Sequence, residues 1–121
     1  MKLRIKGNFL RVRLSVPEVQ ILSSGSTLRE TTGFGNTQLG YTVMPIDGNS
    51  MTATFENNMI TLSVPRKYVS GWLEKGVVGF DELVTFSNGE SLRLLLEKDF
   101  KCLDVTEEDQ ADYFENPAKS C

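Results

Sequence analysis

Lys2, Arg4, Lys6, Arg11 and Arg13 are the side chains of this sequence best suited to chemistry, because they place five cations and no acid within the first 13 positions. On an extended chain, alternate spacing sends such residues to one side. Guanidinium and ammonium groups gathered that way suit phosphate or carboxylate. Near the other end Glu97 and Asp99 alternate likewise and would rim a basic pocket. Arg4, Lys6, Arg11, Arg13, Glu97 and Asp99 are therefore the candidate binding residues, and the matching ligand is a phosphorylated or acidic small molecule. The structural alternative for the bases is the solvated outer face of a strand, and by itself the alternation favours it.

Other chemistries find less support. Histidine is absent, so nucleophilic mechanisms of the usual triad type lack their base and catalysis would fall to carboxylates, lysine or a metal. No catalytic residue, cofactor or metal ligand set is assigned. Cys102 with nearby carboxylates and Cys121 forms an alternative metal-binding reading, yet the spacing matches no ligand motif, and Asp104 to Asp112 lacks the central glycine of a calcium loop. Whether Cys102 and Cys121 pair stays open. Gly33-Phe34-Gly35 falls between strands, not before a helix, and is no phosphate loop. Enzymes of the triphosphate-tunnel type open with Glu-x-Glu-x-Lys, where this chain has Lys2-x-Arg4-x-Lys6. Nucleic acid is disfavoured, since only Phe9 is interleaved with the bases and the net charge is −3.

The elements that must position these residues can be read from periodicity. Leu3 and Ile5, then Leu10, Val12 and Leu14, alternate with the bases about Gly7-Asn8, which predicts two strands or one bent strand. Ser15 to Glu18 has capping-box spacing and opens a helix over 16–24. Strands follow over 28–34 and 39–44, then 51–55 and 59–64, a helix over 65–74, and strands over 77–86 and 92–99 across Asn88-Gly89.

Shifting the chain by fifty residues brings positions 1–24 onto 51–74. Nine of the eleven apolar residues in the first window then meet an apolar partner, where composition alone supplies about five. The expected architecture is a single α+β domain, 1–121, made of a tandem strand-helix-hairpin duplication (1–50 and 51–100). It forms a curled antiparallel sheet or partial barrel with two short helices, followed by an acidic arm, 101–121. Residues 97–121 hold eight acids against three lysines, so the arm is suited to lie over the first strand, in its own chain or in a second copy.

Two stretches resemble a family of short bacterial proteins of unknown function. They are Met1-Lys-Leu-Arg-Ile-Lys-Gly-Asn8, and Glu97-Lys-Asp-Phe-Lys-Cys-Leu103 followed by Glu108-Asp109 and Asn116-Pro117. The likeness spans the whole chain, implies no activity, and carries no site residue over. Members place a histidine just before the last cysteine, where this chain has Lys119-Ser120.

No apolar run reaches the roughly 18 residues of a membrane span, and the first residues lack the apolar core of a secretory signal. The expectation is a cytoplasmic protein with no membrane partner. Its leading function is a non-catalytic interaction or assembly module, with a homo-oligomer or a protein partner. The small-molecule site on the basic strand face is the alternative.

Overall fold

A computed structural model describes residues 1–100 together with Phe114 and Glu115. Cys102, Cys121 and the rest of the acidic arm apart from Phe114 and Glu115 lie outside the described residues. The strands are β1 (Lys2–Ile5), β2 (Phe9–Leu14), β3 (Leu28–Gly33), β4 (Gln38–Ile46), β5 (Thr52–Glu56), β6 (Met59–Pro65), β7 (Gly79–Thr85) and β8 (Ser91–Lys98). Helix α1 (Val16–Ser23) separates β2 from β3; α2 (Arg66–Val69) and a 3-10 turn (Trp72–Glu74) separate β6 from β7.

These strands form two sheets of four, ordered β1-β2-β8-β7 and β3-β4-β6-β5. The expected curled antiparallel sheet is thereby corrected. Each sheet is mixed, with a parallel central pair, β2 with β8 and β4 with β6, and the assembly is not a closed barrel. The physical reason lies in the helices. After β2 the chain turns through α1 and starts β3 in the opposite sheet, so each sheet joins the opening hairpin of one half to the closing hairpin of the other. Hairpin signals are local and legible; the parallel joint is not. The fold is also richer in strand than the α+β expectation.

The helix expected over 65–74 breaks in two. Ser70 is extended and Gly71 takes φ 69°, a left-handed conformation that ends α2 after four residues. Helix α1 forms as the capping box predicts, with the Ser15 N–H donating to Glu18 Oε1 at 2.9 Å.

The two opening hairpins follow one register. Lys2 faces Arg13 and Leu3 faces Val12 in the first hairpin, and Thr52 faces Ser63 and Ala53 faces Leu62 in the third. Gly7 and Asn57, fifty residues apart, both adopt positive φ at the two turns. The inward side chains of both sheets meet in one cluster that includes Val12, Leu14, Leu62, Val64, Leu94 and Leu96. Val19 and Leu22 from α1 meet Val69 and Trp72 from the second half at the helical end, all buried. Trp72 donates its indole N–H to the Val77 carbonyl at 2.9 Å, so burying the ring leaves no unpaired donor. All four hairpin turns fall at the opposite end.

The seams between the sheets carry polar contacts. The Met1 nitrogen lies 2.5 Å from Glu18 and 3.4 Å from Glu30. In the second half the Met51 N–H donates to Glu82 at 3.0 Å and the Tyr68 hydroxyl donates to the same carboxylate at 2.6 Å. That hydrogen bond to Glu82, with partial burial, raises the Tyr68 phenol above its ordinary value.

Candidate functional site

The outer face of the first sheet holds the sequence-predicted bases. Side chains at 2, 4, 6, 11 and 13 point away from the core because their neighbours Leu3, Leu10, Val12 and Leu14 point into it. Pairing then sets cation against cation. Lys2 faces Arg13 and Arg4 faces Arg11 across the hairpin, an arrangement that opposes folding unless acids intervene.

The parallel neighbour β8 supplies them. Glu97, beside Arg13 in the sheet, accepts from Arg11 Nε at 2.6 Å and from Arg13 Nε at 2.8 Å through one carboxylate oxygen. Lys2 Nζ lies 3.2 Å from Asp99 Oδ2. Five of the six candidate residues thus stand on one sheet face and Asp99 follows directly on β8, but the carboxylates act as counter-ions to Arg11, Arg13 and Lys2. The side chains of Arg4 and Lys6 make no ion pair or hydrogen bond with any described residue. Two shallow hollows lie along the hairpin. One, about 160 Å³, is bordered by Arg4, Lys6, Phe9 and Arg11. The other, about 170 Å³, is bordered by Lys2, Arg4, Arg11 and Arg13.

Further along β8, Arg93 lies over the Phe9 ring at 4.7 Å and grips Asp81 with two bonds of 3.1 and 2.7 Å. That grip holds the Asp81 carboxyl below its usual range.

Sequence reasoning missed two features. Lys98 continues the inward face of Leu92, Leu94 and Leu96 and is only 6% exposed. Its Nζ donates to the Lys75 carbonyl at 2.7 Å and sits 5.1 Å from the Phe114 ring, and burial pushes its pKa down. Alternation along β8 was a sufficient signal for that placement. The second feature is an apolar mouth of about 640 Å³ at the turn end, lined by side chains of both sheets, among them Ile5, Leu10, Leu39, Phe55, Ile60 and Phe86. No sequence signal gathers those residues, because the joining of the sheets does so.

No described group of three or more Cys, Asp and Glu residues is placed to hold a metal ion. No helix among the described residues is long and apolar enough to cross a membrane.

The model of a family of unknown function, DUF7009, matches residues 1–118. The chain belongs to that family. No curated protein and no solved structure matches. In this DUF7009 member the opening hairpins of the two halves share a register and differ in their outward residues. By register, Lys2, Arg4 and Lys6 correspond to Thr52, Thr54 and Glu56, while Arg11 and Arg13 correspond to Thr61 and Ser63. Glu97, next to Arg13, corresponds to Met44, next to Ser63.

Proposed function

We propose that this protein is a non-catalytic cytoplasmic binding module whose outer first sheet face docks an extended, acidic segment of a protein partner. One observation carries the reading: the same strand register exists twice, and only one copy is basic. Threonine, serine and one glutamate on the second sheet satisfy the backbone plan as well as arginine and lysine do on the first, so folding does not call for five cations there. The chain is read as one domain in which 1–50 and 51–100 are copies of a single unit; the shared register supports that.

The hollows favour a peptide over a compact metabolite. Each fits about one anionic group, and the two share Arg4 and Arg11 while shifting by one pair of residues along the strand. Two strand residues rise about 7 Å, which is also the spacing of carboxylates at alternate positions of an extended peptide. Arg4 and Lys6 are the groups still able to form charge-assisted bonds, whereas Glu97 and Asp99 keep Arg11, Arg13 and Lys2 in place.

The test is fluorescence anisotropy with a labelled peptide of alternating glutamate and threonine, against inorganic polyphosphate and single-stranded DNA. Binding of the peptide should weaken with salt, and Arg4→Ala with Arg11→Ala should weaken it by about tenfold or more, one such pair being worth about 1.4 kcal/mol. Thr54→Ala with Thr61→Ala should change it by less than about twofold. No peptide binding, or peptide binding indifferent to Arg4 and Arg11, overturns the proposal; binding of polyphosphate or DNA alone transfers the face to phosphate ligands.

A further inference from the structure

The apolar mouth lies at the opposite end from the helices and adjoins the basic face at Ile5 and Lys6, of which Ile5 lines the mouth and Lys6 borders a basic hollow. Its rim exposes side chains that a folded chain ordinarily covers: Ile5 is 58% exposed, Phe55 66% and Phe86 38%. Ile5 ends β1 and Phe55 is the last residue but one of β5, and by register they are the same position. Next to each stands a charge, Lys6 beside Ile5 and Glu56 beside Phe55. Equivalent positions on opposite sheets therefore carry opposite signs. Among the described residues neither Lys6 nor Glu56 makes an ion pair.

We infer that this mouth is the interface through which two copies of the chain form a symmetric dimer. A two-fold axis across the mouth brings position 6 of one copy to position 56 of the other, twice over, because an isologous contact repeats each pairing with the roles exchanged. Lys6 then meets the partner's Glu56, and Glu56 meets the partner's Lys6. The mouth holds about 640 Å³ between the sheets. Phe55 lines its own mouth and stays 66% exposed, leaving that space open; the partner's Phe55 can enter it, and reciprocally. The occupant is thus self-complementary in shape and in charge. An acidic or a basic apolar ligand would meet one of the two rim charges unpaired.

Sedimentation of the intact chain from about 1 to 200 µM is the experiment, a range spanning weak to moderate dimers. The wild type should pass from monomer to dimer, and Phe55→Glu should leave it monomeric throughout. Lys6→Glu and Glu56→Lys should each weaken association by about tenfold, since each places like charges together at two symmetric contacts. The doubly reversed Lys6→Glu, Glu56→Lys chain should regain it. Unchanged melting temperatures separate these effects from misfolding. A monomer at every concentration overturns the inference. So does a dimer indifferent to Phe55→Glu, or a doubly reversed chain that stays weak. A monomer that binds anilinonaphthalene sulfonate, and loses it with Phe55→Glu, overturns it in favour of a small-molecule site.

Discussion

The two outer sheet faces share a plan and differ in what they display. Cross-strand partners Arg4 and Arg11 on the first sheet stand where Thr54 and Thr61 stand on the second, and Lys2 and Arg13 stand where Thr52 and Ser63 stand. Inside, the same positions are apolar in both halves: Val12 and Leu62, Leu14 and Val64, Val19 and Val69, Leu22 and Trp72 are all buried. Burial constrains the interior twice over, because every lost methylene is felt in a close-packed core. The exterior is free to diverge. What differs outside is therefore not dictated by this chain's own core.

The largest effects should come from the interior and should ignore the difference between faces. Trp72→Ala should cost about 3 to 5 kcal/mol and its counterpart Leu22→Ala about 2 to 5, read from urea midpoints at unchanged slope, with acidic-peptide affinity intact in the folded fraction. If either left stability unaltered, the common interior would lose its support. Next, Glu97→Gln removes the counter-ion held by Arg11 and Arg13 and should cost about 1 to 2 kcal/mol while strengthening peptide binding, since two like charges then face each other unscreened.

Moving the bases sharpens the contrast. Thr54→Arg with Thr61→Arg copies the Arg4 and Arg11 pair onto the second sheet, where Met44 stands in place of Glu97. The cost should be about 0.5 to 1 kcal/mol, and peptide binding should appear at the second face. Smallest is a difference between seams. Tyr68 donates to Glu82, whereas Glu18 occupies the equivalent position in the first half. A phenol pKa raised in the folded state adds stability that is complete below the unfolded value of about 10 and is lost as pH rises through the folded value. Melting temperatures above about pH 10 should fall less steeply for Tyr68→Phe than for the wild type, with Tyr41, also raised by burial and by Glu30, contributing in the same direction.

Much of the local structure was legible because its causes are local. The Ser15 capping box, the alternation of β1 and β2, and Asn88-Gly89 all act within a few residues, and Gly89 indeed takes φ 88°. The second helix reads longer than it is because apolar spacing from Val69 to Trp72 continues through Gly71, whose left-handed backbone leaves no trace in periodicity. The joining of β2 to β8 and of β4 to β6 spans more than eighty residues in one case and about twenty in the other, beyond anything a hairpin signal encodes. The mouth depends on that joining and was equally hidden. Among the six candidate residues, the alternation placed Arg4, Lys6, Arg11 and Arg13 on one face; that Glu97 would satisfy both Arg11 and Arg13 followed only from the parallel register.

An amide chemical-shift titration with the alternating glutamate peptide compares the two faces within a single sample. The account expects shifts at Lys2–Ile5 and Phe9–Leu14, falling with salt, and none above background at Thr52–Glu56 and Met59–Pro65. Equal shifts on both hairpins, or none on either at millimolar peptide, would contradict it.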